Sequence, residues 1–319
     1  MSKAITIVMY HYIRDLRASR YPEIKGLDLE FFRKQIEFFE ANYTFIDYDQ
    51  LLDACINGTT LPKNSVFLTF DDGYIDHYNN VFPILNEKGI QGFFSMPGKI
   101  IAEGKVLDVN KIHFILASQQ IDQLMQKVRK RLDFYRGGEY SIPPYEELYE
   151  KLAIANRFDT KEVIFVKRLL QVELEESLRN LIVDDLFCDC VSLPEAAFAS
   201  ELYMSFDQIK LMKREGMCFG IHGYEHYWMN RLEQRELVDD IAKALDVFEK
   251  VLPSHGWGCC YPYGSIDERV RNTVADMGAN IGFTTRVAFA KVSEDDCLAL
   301  PRFDTNDFPP KSTNYASYQ

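Results

Sequence analysis

Two adjacent carboxylates close an apolar run in the stretch Val66-Phe67-Leu68-Thr69-Phe70-Asp71-Asp72-Gly73-Tyr74. Four of its first five residues are apolar, which predicts a buried strand. Neighbouring carboxylates raise each other's pKa, so a fold accepts such a pair when a cation lies between them or when one acts as a base. Gly73 lets the backbone leave the strand sharply and places both side chains at a rim. The alternative is a simple Asp-Gly turn with both carboxylates in water.

A second polar cluster follows another short apolar run, in Met217-Cys218-Phe219-Gly220-Ile221-His222-Gly223-Tyr224-Glu225-His226. His222 and His226 are four residues apart, so in a helical turn they would share one face and could bind one metal ion. The chain has only 6 His in 319 residues, which favours a functional reading of this pair. A third run, Trp257-Gly258-Cys259-Cys260-Tyr261-Pro262-Tyr263-Gly264, predicts another strand that ends in a tight turn.

Together these three segments resemble the polysaccharide deacetylase family, the NodB-homology carbohydrate esterases. Thr69–Gly73 matches the first motif of that family, and His222–His226 matches the second, with Gly223 where Ser or Thr is commoner. Tyr261–Gly264 matches the end of the third motif, and the order along the chain is the same. The resemblance covers roughly residues 4–100 and 200–305 and leaves out the stretch between them.

Strand-like and helical segments alternate along the chain, which predicts an α/β fold with a buried parallel sheet. About seven such units fit a distorted (β/α)7 barrel, which is also the fold that the resemblance implies. Helix starts are predicted at Asp28, at Ser205 with Gln208, and at Ser265 with Glu268. The predicted strands are Ile5–Tyr10, Val66–Phe70, Gly92–Met96, Cys218–Ile221, Gly258–Tyr261, Ile281–Thr284 and Cys297–Leu300.

The strand positions provide a test of the site that does not depend on the motifs. In α/β barrels the chemistry lies at the carboxyl ends of the strands. Six polar candidates come just after strand-like runs, and we expect them to meet at one rim: His11, Asp71, Asp72, His222, Tyr263 and Arg302.

Residues 105–199 have helical periodicity, as in the stripe Ile121, Leu124, Val128 and Leu132. We therefore predict a discontinuous catalytic barrel, residues 1–104 and 200–319, interrupted by a helical insertion at 105–199. The insertion is interpreted as a lid or substrate-recognition cap, or alternatively as a dimerisation or packing element, which leaves a homo-oligomer possible.

The resemblance implies a divalent metal, usually zinc, bound by Asp72, His222 and His226. Two imidazoles and one carboxylate leave coordination positions open for water and substrate. The resemblance also implies that Asp71 is the general base that takes a proton from the attacking water. The backbone N–H of Tyr263 would then stabilise the oxyanion.

The sequence departs from the family at the residue that orients the base. The third motif usually carries an Arg three residues before its Tyr, and Cys260 stands at that place. Arg302 is predicted to reach Asp71 instead. The alternative is that Arg302 forms a salt bridge at the rim with Asp304 or Asp307.

A second departure concerns the general acid. The late Leu-x-His motif of the family has no match, because no His follows His255. His11, after the first strand, is the best candidate for the acid, and His77 and His255 are weaker ones. The missing motif leaves three possibilities open: another residue serves as the acid, turnover is slow, or the protein is not an enzyme.

Composition narrows the classes of partner. The net charge of −12 argues against nucleic acid as a partner, and no apolar run reaches the ~18–20 residues of a membrane span. Seven Cys without repeated CxxC spacing do not indicate a disulfide framework or a zinc ribbon. Since the N-terminus also lacks the pattern of a signal peptide, we expect a cytoplasmic protein.

Three functions remain open at the level of sequence. The preferred hypothesis is a metal-dependent N-deacetylase for an acylated amino sugar, a nucleotide- or lipid-linked precursor of a surface polysaccharide such as O-antigen or capsule. The second is a cyclic-amide or formamide hydrolase on the same fold. The third is a non-catalytic glycan-binding relative that keeps the metal.

Overall fold

The computed structural model describes residues 4–155 and 159–318. Its contacts divide the chain into two compact units. The first contains the described residues up to Asp15, then Gly26–Lys105 and the described residues from Ala199 onward. The second contains Leu16–Lys25 and the described part of Val106–Phe198. The short segment Leu16–Lys25, which the sequence places in the barrel, therefore groups with the helical unit.

A parallel sheet forms the centre of the first unit, and the predicted α/β class with a distorted barrel of this type is confirmed. The strands are β1 (Thr6–Tyr10), β2 (Ile13–Arg14), β3 (Leu27–Asp28), β4 (Thr44–Phe45), β5 (Ser65–Asp71), β6 (Gly92–Met96), β7 (Cys218–Ile221), β8 (Trp257–Cys260), β9 (Ala279–Phe283) and β10 (Phe303–Asp304). Their order in the sheet is β10-β1-β5-β6-β7-β8-β9, with β4 paired to β5, and β2 and β3 form a separate pair.

The segment that leads into β10 connects the two edges of this sheet. Leu300 forms a parallel bridge with Phe283 of β9, and Phe303 pairs with Val8 of β1. The predicted strand Cys297–Leu300 is wrong, since only Leu300 pairs there and the rest is turn. The physical reason is local: the carboxylate of Asp296 accepts the Leu298 N–H at 2.9 Å, which stabilises a turn in place of a ladder.

The helices lie between the strands and in the second unit. None of them, over the part of the chain that the structure describes, is both long and apolar enough to cross a membrane. They are α1 (Leu29–Asn42), α2 (Tyr48–Asn57), α3 (Phe82–Lys88), α4 (Gly98–Ala102), α5 (Asp108–Ser118), α6 (Ile121–Tyr135), α7 (Tyr145–Leu152), α8 (Lys161–Arg168), α9 (Glu176–Val191), α10 (Glu195–Leu202), α11 (Phe206–Arg214), α12 (Gln234–Phe248) and α13 (Glu268–Asp276).

Two of the three predicted helix starts are confirmed. Asp28 caps α1 by accepting the Glu30 N–H, and Ser205 forms a capping box with Gln208 at α11. The prediction at Ser265 is wrong, because Asp267 caps α13. The Ser265 hydroxyl instead accepts the Met229 N–H at 2.9 Å, so a long-range contact takes the oxygen that a cap would need.

Alternation along the strands directs one set of side chains into each of two cores. Val66, Leu68 and Phe70 of β5 belong to the larger core, whereas Phe67 belongs to the smaller one, with residues of α2. Asp71 follows the parity of Phe67, so its side chain continues the face of the smaller core at the carboxyl end of β5. The fold thereby buries the carboxylate without placing it in the sheet centre.

Candidate active site

The end of β5 turns through two residues with left-handed backbone. Asp72 has φ 76° and Gly73 has φ 71°, and a Cβ at Gly73 would lie 2.8 Å from Cδ1 of Ile100. The glycine is therefore required by conformation and by space. A non-glycine residue in this region is uncommon and is often found at functional sites, which fits the position of Asp72.

The two histidines are joined by a loop and not by a helical turn. Gly223 has φ 68° and His226 has φ 62°, and these left-handed residues curl the chain back. The buried carboxylate of Asp240 on α12 accepts the N–H groups of Tyr224 and Glu225, each at 2.9 Å. This loop satisfies its backbone through a side chain, whereas a helix would satisfy it internally.

Asp72, His222 and His226 come together as a group that could hold a metal ion. One ligand atom from each lies within 4.8 Å of the others, and all three side chains are buried. Oδ1 of Asp72 is 3.4 Å from Nε2 of both histidines and makes no hydrogen bond within the described residues. Nδ1 of His222 lies 2.6 Å from the Cys260 carbonyl, which directs its Nε2 toward Asp72. An unbonded buried carboxylate oxygen between two imidazole nitrogens fits a divalent cation.

The protonation states of this group also suit metal binding. Burial lowers the pKa of His222 to about 4, against an opposing influence of Asp71. Burial alone would raise the pKa of Asp72, but His226 and the other nearby imidazoles hold it well below its usual range. A neutral imidazole and an ionised carboxylate are the forms in which these side chains bind metals.

Arg302 contacts Asp71, which is one of the two roles that the sequence left open for it. Nη1 of Arg302 lies 2.9 Å from Oδ2 of Asp71, and both side chains are 1% exposed. Burial would raise the pKa of the Asp71 carboxyl, but the Arg302 charge outweighs it and the pKa falls to about 2. Ser95 donates a further hydrogen bond to Oδ1 of Asp71 at 2.8 Å. Asp71 is therefore a buried, ionised carboxylate next to the candidate metal group.

Cys260 lies directly beside the side chain of Arg302. Its sulfur is 3.1 Å from Nη1 of Arg302, and Nε of Arg302 donates to the Thr284 carbonyl at 2.9 Å. The small thiol leaves room for a guanidinium that comes from the residue just before β10. The arginine is thus supplied from a different part of the chain than the third motif would provide.

Tyr263 lies beside the metal group with a left-handed backbone, φ 59° and ψ 8°. Trp228 stacks on its ring at 4.5 Å between centroids and 7° between planes. The His226 ring contacts the Tyr263 ring in an edge-to-face arrangement, with 4.8 Å between their centroids. These contacts hold an unfavourable backbone conformation in place at the edge of the site.

The three candidates for the acid lie in different surroundings. His11 is half-buried at the end of β1 and interacts electrostatically with Asp71 and Asp72. His77 is fully buried, which lowers its pKa to about 4, and its Nε2 lies 2.9 Å from the His11 carbonyl. His255 pairs with Asp49 at 2.9 Å on an exposed surface. His11 alone of the three combines partial exposure with proximity to the carboxylates.

Four side chains at the site were not predicted from the sequence: Ser95, Asp240, Trp228 and Tyr74. The phenol of Tyr74 donates a short hydrogen bond to Asp72. Ser95 had a signal: it is a hydroxyl in the otherwise apolar β6, and it stands opposite Asp71 in the register. Tyr74 also had a signal, since it comes immediately after the first motif, next to Gly73. Asp240 and Trp228 had none, because their partners are set by the tertiary fold.

Comparison with known proteins gives a consistent result. A segment of 80 residues, which is 24% of this chain, is 35% identical to poly-beta-1,6-N-acetyl-D-glucosamine N-deacetylase of Escherichia coli K12. This protein spans 12% of the length of that relative. Among solved structures, the Streptococcus pyogenes deacetylase PplD has a TM-score of 0.58 at 17% identity, over 99% of this chain and 98% of that one. IcaB from Ammonifex degensii has a TM-score of 0.56 at 17% identity, over 99% and 96%.

These structural likenesses show a shared fold, since their identities are low. The family assignment comes from the sequence. A family model described as polysaccharide deacetylase matches residues 58–131 and 194–282, which is just over half of the chain and includes the metal group, Asp71 and Tyr263. The residues between the two matched segments lie in the helical unit. On this match the chain belongs to the polysaccharide deacetylase family.

Proposed function

We propose that this protein is a zinc-dependent N-deacetylase that removes an acetyl or related acyl group from an amino sugar. The observation that carries the proposal is the placement of the ionised Asp71, held by Arg302, directly next to the group of Asp72, His222 and His226. Two imidazoles with one carboxylate suit zinc. A buried base and an open metal centre side by side are the parts that amide hydrolysis needs.

The residues of the chain divide the work of hydrolysis among them. A bound divalent cation would supply Lewis-acid activation of the amide carbonyl and of water. Asp71 takes the proton from the attacking water, because Arg302 keeps its carboxylate ionised at neutral pH. The backbone N–H of Tyr263 stabilises the oxyanion of the tetrahedral intermediate. His11 donates the proton that the leaving amine requires.

The proposed substrate is a nucleotide- or lipid-linked acylated amino sugar, a cytoplasmic precursor of a surface polysaccharide such as O-antigen or capsule. Support for an N-acetylamino sugar comes from the family match and from the name of the E. coli relative. A polymeric substrate outside the cell is the competing outcome and must be part of the test.

The test begins with the metal. Zinc content of the purified protein is measured by elemental mass spectrometry alongside the variants His226→Ala and Asp71→Asn. We expect about one ion per chain in the wild type and in Asp71→Asn, and loss of the ion in His226→Ala. The reason is that, of the two substituted residues, only His226 belongs to the ligand group.

Turnover is then measured as acetate release from UDP-N-acetylamino sugars and from oligomers of poly-N-acetylglucosamine, with Asp71→Asn as the inactive control. Release from the nucleotide sugar supports the full proposal, and release from the oligomer alone overturns the precursor assignment. Formate release or ring opening of a cyclic amide in its place would indicate the second hypothesis. Metal and sugar binding without any turnover would indicate a glycan-binding relative.

A further inference from the structure

The Tyr74 phenol forms a hydrogen bond with one of the two carboxylate oxygens of Asp72. Its hydroxyl donates a short hydrogen bond to Oδ2, and both residues are at most 2% exposed. Oδ1, the other oxygen, faces Nε2 of His222 and of His226 at 3.4 Å. The two oxygens therefore have different surroundings, one closed by a donor and one open to the candidate metal position.

Neighbouring aromatic rings fix the position of that hydroxyl. The Tyr74 ring stacks on Tyr12 at 4.0 Å and lies parallel to Tyr203 at 6.2 Å. The backbone is held too, since Tyr74 forms an antiparallel bridge with Tyr203 and the Gly73 carbonyl accepts the Met204 N–H at 3.0 Å. All three tyrosines are buried. The phenol cannot swing away from Asp72 without breaking this stack.

We infer that Tyr74 is a positioning residue that makes Asp72 a one-oxygen ligand and sets the affinity of the site for its metal. A carboxylate free on both sides can bind a cation through either oxygen or both, and it can rotate. With Oδ2 engaged, only Oδ1 is available and its direction is fixed. This inference rests on the proposed metal site, and it adds a residue outside the ligand group.

The experiment compares Tyr74→Phe with Tyr203→Phe, which removes a hydroxyl from the same stack but keeps the Tyr74 hydroxyl on Oδ2 of Asp72. The dissociation constant for Zn²⁺ is measured by competition with a chromophoric chelator. Loss of a hydrogen-bond partner behind a metal ligand typically weakens binding about 10–100-fold. We expect a weakening of this size in Tyr74→Phe and less than about twofold in Tyr203→Phe, because only the first frees Oδ2.

A spectroscopic readout separates positioning from a general loss of stability. Co²⁺ replaces Zn²⁺ in each protein, and we expect the visible absorption of Tyr74→Phe alone to shift toward a higher coordination number, as Oδ2 becomes a ligand. To allow for a lower stability of Tyr74→Phe, the melting temperature of each protein is measured with and without metal. The shift that the metal causes is then compared between the variants. Wild-type affinity and spectrum in a folded Tyr74→Phe would overturn the inference. Failure of the wild type itself to bind zinc would instead overturn the proposed function.

Discussion

Arg302 forms a fully buried ion pair with Asp71, although 231 residues separate them in the sequence. The guanidinium also donates to the Thr69 hydroxyl at 3.0 Å and to the Thr284 carbonyl, so its position is fixed by β5 and by the end of β9. A charge in such surroundings is stable only while its partner is present. The pair therefore joins the stability of the barrel to the ionisation of the proposed base.

Arg302→Met should destabilise the fold by about 3–5 kcal/mol, because it leaves Asp71 as an unpaired buried charge. The double variant Arg302→Met with Asp71→Asn should recover part of this loss, since the neutral amide no longer needs a cation. Urea unfolding followed by circular dichroism measures both free energies. Equal stability of the single and the double variant would contradict the interpretation of a coupled pair.

The same pair predicts a pH dependence of stability. The pKa of Asp71 is lowered to about 2 in the fold, because the Arg302 charge outweighs the effect of burial, whereas an unfolded Asp titrates near about 3.9. A lowered carboxyl pKa stabilises the fold above the unfolded value, and that contribution disappears as the pH falls toward 2. The difference in unfolding free energy between wild type and Asp71→Asn should therefore shrink on acidification below about pH 4. A difference that stays constant from pH 6 to pH 2.5 would argue against it.

Asp240→Ala should weaken metal binding, although Asp240 is outside the ligand group. Its carboxylate accepts the two N–H groups in the middle of the loop between His222 and His226, and the substitution leaves these partly buried donors without that partner, each at a cost of about 1 kcal/mol. Zinc affinity and urea stability are measured together. The exposed neighbour Asp239→Ala is the matched control and should change neither.

His11→Gln should lower amide hydrolysis by about 10²–10⁴-fold if His11 protonates the leaving amine. An aryl acetate ester releases a phenolate that needs no such proton, so hydrolysis of the ester should fall much less. The ratio of the two rates in the variant and in the wild type is the measurement. His255→Gln, which removes an imidazole that pairs with Asp49, should leave the ratio unchanged. An equal fall for both substrates would assign His11 a structural role.

Much of the barrel could be predicted from local patterns. β6 and β7 have the predicted bounds, and α1 begins at the predicted cap Asp28, because each depends on periodicity and on a single turn or cap residue. The metal group could also be anticipated, since Asp72 and His222 follow directly on β5 and β7 and His226 comes four residues after His222.

The errors came where long-range contacts decided the local structure. The spacing of His222 and His226 indicates a helical turn, but Asp240 from another helix stabilises a loop there. The segment Cys297–Leu300 is an exception with a local cause, because the neighbouring Asp296 carboxylate accepts the Leu298 N–H and folds this apolar, strand-like stretch into a turn. The role of Arg302 could be framed only as an alternative, because nothing local distinguishes a contact with Asp71 from a surface salt bridge.

The segment that joins the two edges of the sheet also carries Arg302. A growing chain on the ribosome that has not yet reached this segment already contains both aspartates and both histidines, yet it lacks the cation that keeps Asp71 charged. Under the proposed function, hydrolytic competence should therefore appear only after Arg302 has been synthesised and has joined Asp71. A chain that stops before Arg302 would contain the ligand group and the base but would not hydrolyse an amide.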